Sequence, residues 1–190
     1  MTQRVFVDAN VLLSRTLRDW LFMLRQETRG GIFQLHTTWD VITEAGARLR
    51  DNYPLADGDL LGLLIERIKD NVDEILTAFP GGAVEGIADE GDWHVHHAAQ
   101  SCRADILLTE DKGFTSDDTH YEVYSCDEFF LEIGRSAPAA VTRVVKKQTA
   151  HWARYPDAKQ LPDALRDAQC HGFADMILGH LKELALAGNP

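Results

Sequence analysis

Four carboxylates in this sequence stand where α/β folds do chemistry. Asp8 ends a short apolar run, Val5-Phe6-Val7, and an amphipathic stretch with helical spacing begins at once. Asp111 follows the apolar run Ile106-Leu107-Leu108, Asp92 opens the helical stretch after a short strand expected at 84–87, and Glu44 lies in the first turns of the helix after Ile32-Phe33-Gln34-Leu35-His36. An apolar strand feeding straight into a helix is how a parallel sheet begins. Ligands of such sheets sit outside the carboxyl ends of the strands. Taken singly, each acid is ordinary, because Asp caps helices and holds turns. Brought to one sheet edge, four like charges repel, and a hard cation is the natural way to hold them. Mg²⁺ prefers oxygen ligands and completes its shell with waters and substrate phosphate. Such an ion activates water and stabilises charge on a phosphodiester under in-line attack. Asp8, Asp92 and Asp111 are the expected direct metal ligands.

The elements that must position these acids follow from periodicity. Residues 10 to about 28 place Leu13, Leu17, Trp20, Leu21 and Leu24 on one helix face. Arg15, Arg18, Arg25 and Arg29 fall on another, with Phe22 pointing into it. That face reads either as a solvated surface or as a contact for RNA phosphates or an acidic partner. Gly30-Gly31 stops the helix, and Thr37 or Thr38 caps the next, over about 39–51. The apolar positions Leu61, Leu64, Ile65, Ile68, Val72, Ile75, Leu76 and Phe79 predict one long helix from Asp59 to Phe79. A helix over 93–103, a buried strand over 105–109, a strand over 121–125 and a helix over 127–133 complete the pattern. Five short strands alternating with helices predict a three-layer α/β/α sandwich with a mostly parallel five-stranded sheet. Beyond it, 134–190 reads as a helical appendage, with helices at about 138–153 and 161–187 parted by Tyr155-Pro156-Asp157. The expected division is therefore an α/β domain over 1–133 and a C-terminal helical extension over 134–190.

The stretches Val5-Phe6-Val7-Asp8-Ala9-Asn10-Val11-Leu12-Leu13, Asp92-Trp93-His94-Val95 and Ala104-Asp105-Ile106-Leu107-Leu108-Thr109-Glu110-Asp111-Lys112-Gly113-Phe114 together resemble the PIN domain. More narrowly, they resemble the VapC-type ribonuclease toxins of prokaryotic toxin–antitoxin pairs. The resemblance covers roughly residues 4–133 and implies a Mg²⁺- or Mn²⁺-dependent endoribonuclease. Asp8, Glu44, Asp92 and Asp111 match the family's acidic constellation, Asn10 the polar residue that braces the first acid, and Thr109 the hydroxyl residue before the last. Asp89, Glu90 and Glu110 neighbour these positions; Asp92 is preferred because it opens the helix before His94. The implied partners are an RNA substrate and a small cognate antitoxin. The alternative is a PIN-fold RNA- or protein-binding module without catalysis.

Other acid-after-strand folds fit less well. A haloacid-dehalogenase-like phosphatase needs a second Asp where this chain has Asn10, which cannot transfer the proton. A phosphoacceptor receiver needs paired acids after its first strand and a lysine after its last strand, where Ser125-Cys126 stand. Dinucleotide binding needs a glycine-rich turn in place of Asp8-Ala9-Asn10. His94 and His97 share a helix face, but carboxylate sites favour hard ions over the transition metals histidines bind.

The chain has 190 residues, 45% of them hydrophobic, a net charge of −11 and three scattered cysteines without a C-x-x-C. The charge argues against bulk electrostatic binding of nucleic acid, and the cysteines read as reduced thiols, so a cytoplasmic setting is expected. No apolar run approaches the ~20 residues of a membrane span, and Met1-Thr2-Gln3-Arg4 leads into a strand without a signal peptide. In the appendage, Arg143, Lys147 and Arg154 share a face with Lys146 beside it, and His151, Trp152 and Tyr155 are placed to stack on unpaired bases. Lys146, Lys147, Trp152 and Arg154 are therefore the expected RNA or partner contacts there, alongside Arg15, Arg18, Phe22 and Arg25. The stripe Leu165, Phe173, Met176, Ile177, Leu181 and Leu184 must be buried, against the α/β domain or in a homodimer.

Overall fold

The computed structural model describes residues 2–87, 89–114, 120–155 and 157–188. By their packing these residues form two compact units, one of 1–14 with 31–125 and one of 15–30 with 126–190.

The first unit is α/β. Its five strands are β1 (Gln3–Val7), β2 (Phe33–Thr38), β3 (Glu74–Leu76), β4 (Ile106–Leu108) and β5 (Glu122–Tyr124). All pair in parallel, in the order β3-β2-β1-β4-β5. The expected five-stranded parallel sheet is therefore present, with β1 at its centre. Val5, Phe6 and Val7 are fully buried, as a continuous apolar run in a parallel sheet requires. The chain goes from β1 to one neighbour, β2, and later to the other, β4, so the order of strands reverses at the carboxyl ends of β1 and β4.

The helices of this unit are α1 (Ala9–Leu13), α3 (Trp39–Asn52), α4 (Asp59–Lys69) and α5 (Trp93–Ser101). Those of the second unit are α2 (Arg15–Glu27), α6 (Cys126–Ser136), α7 (Pro138–Trp152), α8 (Leu161–Asp167) and α9 (His171–Leu186). Among the described residues, no helix is long and apolar enough to cross a membrane.

Several elements differ from expectation. The helix expected over 10–28 is two helices, α1 and α2, because Ser14 turns extended (φ −67, ψ 115) and donates its backbone N–H to the Asn10 carbonyl. The long helix expected over 59–79 stops at Lys69. Asn71 closes that end by donating its side-chain amide to the Arg67 carbonyl at 2.8 Å, and Ile75-Leu76 form β3. The strand expected at 84–87 is absent; that stretch is turn, and β3 takes its place at the sheet edge. The helix expected over 161–187 is α8 and α9, divided where Gln169 takes φ 64. Pro156 of the expected break lies outside the described residues.

The second unit draws α2 and α6 together with the C-terminal helices. α2 packs against α6, α7 and α8, and α9 against α6, α7 and α8. Its core includes Trp20 and Phe173, edge to face with ring centres 5.1 Å apart. The apolar stripe of α9 is covered within this unit at Phe173 and Ile177, both fully buried.

Candidate functional site

The reversal point of the sheet gathers the predicted acids. Pairing of Val7 with Leu108 sets the ends of β1 and β4 side by side, and the Asp8 backbone N–H donates to the Leu108 carbonyl at 3.1 Å. Asp8 caps α1: its Oδ1 accepts the Ala9 N–H at 2.6 Å. Its Oδ2 accepts from Asn10 Nδ2 at 2.8 Å and from the Thr109 hydroxyl at 2.6 Å. Asp8 is only 6% exposed, and three donors offset the cost of holding a buried charge.

Thr109 is the hub of this arrangement. Besides donating to Asp8, its Oγ1 accepts Asn10 Nδ2 at 3.0 Å and the Asp111 N–H at 3.0 Å. Asn10 Oδ1 in turn accepts the Glu110 N–H at 3.2 Å. Asp111 Oδ1 accepts the Gly113 N–H at 2.7 Å, closing the turn after β4.

Asp92 and Asp111 face one spot. A Cβ placed on Gly113 would stand 3.2 Å from Asp111 Oδ1 and 3.7 Å from Asp92 Oδ2, so glycine leaves open the gap between the two carboxylates. Asp92 ends a single 3₁₀ turn, Glu90–Asp92, and α5 follows directly. Burial, and then repulsion from Asp111, Asp89, Asp8 and Glu44, pushes its carboxyl up to about 6. All four predicted acids therefore act within one electrostatic cluster, with Asp89 a fifth member that sequence reasoning set aside.

Glu44 comes from α3, whose first turn is held by the Thr38 hydroxyl accepting the Val41 N–H at 3.1 Å. Its two oxygens face different neighbours. Arg48, one turn on, pairs with Oε1 at 2.7 Å, and His94 Nε2 lies 3.8 Å from Oε2. Neither flanking residue was singled out for this role from the sequence, although the i,i+4 spacing of Glu44 and Arg48 signals their pairing. His94 Nδ1 is 2.6 Å from the Gly91 carbonyl and His97 Nε2 is 2.9 Å from the Gly82 carbonyl, so backbone oxygens engage the two histidines.

Among the described residues, no three Asp, Glu, His or Cys side chains close around one point as a ready-made cage. The donor set nonetheless fits a hard cation. Mg²⁺ is commonly held by one or two carboxylates with waters and substrate phosphate, and the Asp92–Asp111 pair supplies that number of oxygen donors.

The predicted contacts outside the first unit fare differently. Phe22 is 2% exposed and belongs to the core of the second unit, not to a contact face; α6, α7 and α8 pack around its helix. Arg15 is exposed, 3.8 Å from Asp19, with its guanidinium 5.2 Å from the centre of the Trp152 ring. Arg18 and Arg25 are half-buried. Lys147 pairs with Glu27 at 2.5 Å, as does Arg143, so one carboxylate engages two of the three cations expected on that face, and Arg154 lies beyond the end of α7. Lys146 and Arg154 are exposed and Trp152 is half-buried.

No protein-family model matches the chain, and no curated protein is significantly similar to it.

Proposed function

We propose that this chain is a metal-dependent endoribonuclease with a PIN-like three-layer fold, acting as the toxin of a toxin–antitoxin pair in the cytoplasm. The observation that carries this reading is the meeting of Asp92 and Asp111 on either side of Gly113, after the strand that pairs with the Asp8 strand where the strand order reverses; burial and the crowding by Asp111, Asp89, Asp8 and Glu44 push the Asp92 carboxyl up to about 6. A carboxyl displaced by its like-charged neighbours in a cleft is a functional-site signature. That position is where open parallel sheets bind ligands.

Asp92 and Asp111, with Asp8 behind them, would hold Mg²⁺ or Mn²⁺. Bound there, such an ion supplies Lewis acidity toward a phosphodiester and its attacking water. The chain's own residues set the geometry. Thr109 and Asn10 fix Asp8 in one orientation. Arg48 holds Glu44 at Oε1 and leaves Oε2 to accept a proton from the attacking water. Gly113 keeps the approach between Asp92 and Asp111 clear of a side chain.

The test is cleavage of an RNA panel by purified protein in millimolar Mg²⁺ and in EDTA, beside Asp8→Asn. The expected result is metal-dependent cleavage that falls by about 100-fold or more in the variant, with the fold retained by circular dichroism. Wild-type activity in Asp8→Asn overturns the site assignment. If the protein cuts no RNA, it is a PIN-fold binding module.

A further inference from the structure

The two units divide the chain's charge unevenly. Of its 19 lysines and arginines, 12 lie in the second unit, with only 10 of its 30 acids. The remaining 7 basic residues face 20 acids in the first unit. A polyanion is repelled by the unit that carries the acid cluster, so its affinity has to come from elsewhere.

The second unit has a site of suitable chemistry. A cavity of about 300 Å³ lies among α7, the segment that follows it, α8 and α9, walled by Thr149, Trp152, Tyr155, Gln160 and Leu181. Its volume is at the small end of cavities that take compact ligands. A second cavity of about 170 Å³, lined by Arg15 and Trp20, shares Trp152 as a wall. Arg15 lines the smaller cavity and not the larger, so its guanidinium caps the indole from that side.

The aromatic groups are fixed but not stacked on one another. Trp152 donates its indole N–H to Gln148 Oε1 at 2.9 Å. Trp152 and Tyr155 have ring centres 5.8 Å apart and planes inclined by 59°, and His151 meets Tyr155 at 5.6 Å and 45°. Tyr155 is 53% exposed. Thr149 and Gln160 complete the wall of the larger cavity. Rigid aromatic walls and a flanking cation are what a planar heteroaromatic ring requires.

We propose that the cavity bounded by Trp152, Tyr155 and Thr149 holds one unpaired nucleobase of the RNA, so that the residues selecting the substrate belong to the second unit and are not those of the acid cluster. This inference rests on the ribonuclease reading for its ligand class, but its test does not depend on cleavage. The base stacks on the aromatic walls, and exposed Arg154, next to Tyr155 in the chain, is available for a neighbouring phosphate.

The experiment titrates the full chain in EDTA with AMP, GMP, CMP and UMP, followed by tryptophan fluorescence, with inorganic phosphate as control. At least one nucleotide should quench saturably and phosphate should not. Trp152→Phe should lose the quenching signal, and Tyr155→Ala should weaken binding tenfold or more. Asp92→Asn should bind as the wild type does. Absence of binding, competition by phosphate alone, or wild-type affinity in Tyr155→Ala overturns the proposal. Nucleotide binding by a protein that cuts no RNA sustains the pocket while removing the nuclease reading. Metal-dependent cleavage with no nucleotide binding does the reverse.

Discussion

The Thr109 hydroxyl donates a 2.6 Å hydrogen bond to Asp8 Oδ2, tying together the residues that directly follow β4 and β1. Both are nearly inaccessible to solvent. Removing the donor leaves a buried carboxylate short of a partner, so Thr109→Val should cost about 1–3 kcal/mol. In a chain of this length that is a Tm loss of several degrees. Thr109→Ser should recover most of it. Thermal unfolding of the two variants by circular dichroism checks the prediction, and equal Tm values for Val and Ser would remove the hydroxyl's role.

Asp92 makes stability depend on pH in an unusual direction for an acid. Its carboxyl titrates at about 6 in the folded protein, above an unfolded aspartate, so the folded state binds the extra proton. That contribution is complete below about pH 4 and lost as pH rises through about 6. A displacement of that size would be worth about 3 kcal/mol if fully shielded. Asp92 is only part-buried, and solvent reduces the effect to about 1 kcal/mol. Tm measured in EDTA between pH 4 and pH 8 should therefore fall relative to Asp92→Asn, and millimolar Mg²⁺ should offset the difference at pH 8.

Glu27 behaves in the opposite way. Hydrogen bonds from Lys147 and then Arg143 hold its carboxyl below the usual glutamate range, and Arg143 also reaches its backbone carbonyl at 3.1 Å. Its stabilisation is present above the ordinary glutamate range and disappears as pH falls through the lowered value. Glu27→Gln should cost about 1–2 kcal/mol at pH 7 and little at pH 3. Urea unfolding at the two pH values gives the comparison, and a penalty as large in acid as at neutrality would dismiss the ionic contribution.

Phe22 distinguishes a core residue from a contact residue. With 2% of its surface exposed, Phe22→Ala should cost about 3–5 kcal/mol, whereas a surface aromatic would cost little. Chemical denaturation settles the matter, and a loss under about 1 kcal/mol would return Phe22 to the surface.

The parts of the fold that rest on local signals were legible in the chain. Val5-Phe6-Val7 is apolar without alternation because it is the central strand, and Thr38 caps α3 as its hydroxyl predicts. Asp8, Asp92 and Asp111 are visible because each follows a strand or opens a helix, and Glu44 because it lies in the first turns of one. β3 was hidden because three residues cannot display a period of two, and Ile75 and Leu76 happen to continue the helical spacing of α4. Long-range pairing makes that strand: Asp73 donates its N–H to the Leu35 carbonyl, and its Oδ2 accepts the Leu35 N–H, both at 2.8 Å. Phe22 misled for a related reason. Arginines at helical spacing imply a wet face, but α2 is surrounded by helices about a hundred residues later in the chain. Asp89 gives way to Asp92 in the sequence because its influence on Asp92 passes through space, with no spacing rule to reveal it.

The division of the second unit into 15–30 and 126–190 has a consequence for the chain as it is made. Trp20 emerges early from the ribosome, yet its ring partner Phe173 follows about 150 residues later. At ordinary elongation rates that is roughly 8–30 s. Throughout that interval the sheet can assemble while the apolar side of α2 is displayed to solvent. Nascent chains stalled before α7 should accordingly recruit hydrophobic-sensing chaperones at α2, and release should coincide with synthesis of α9.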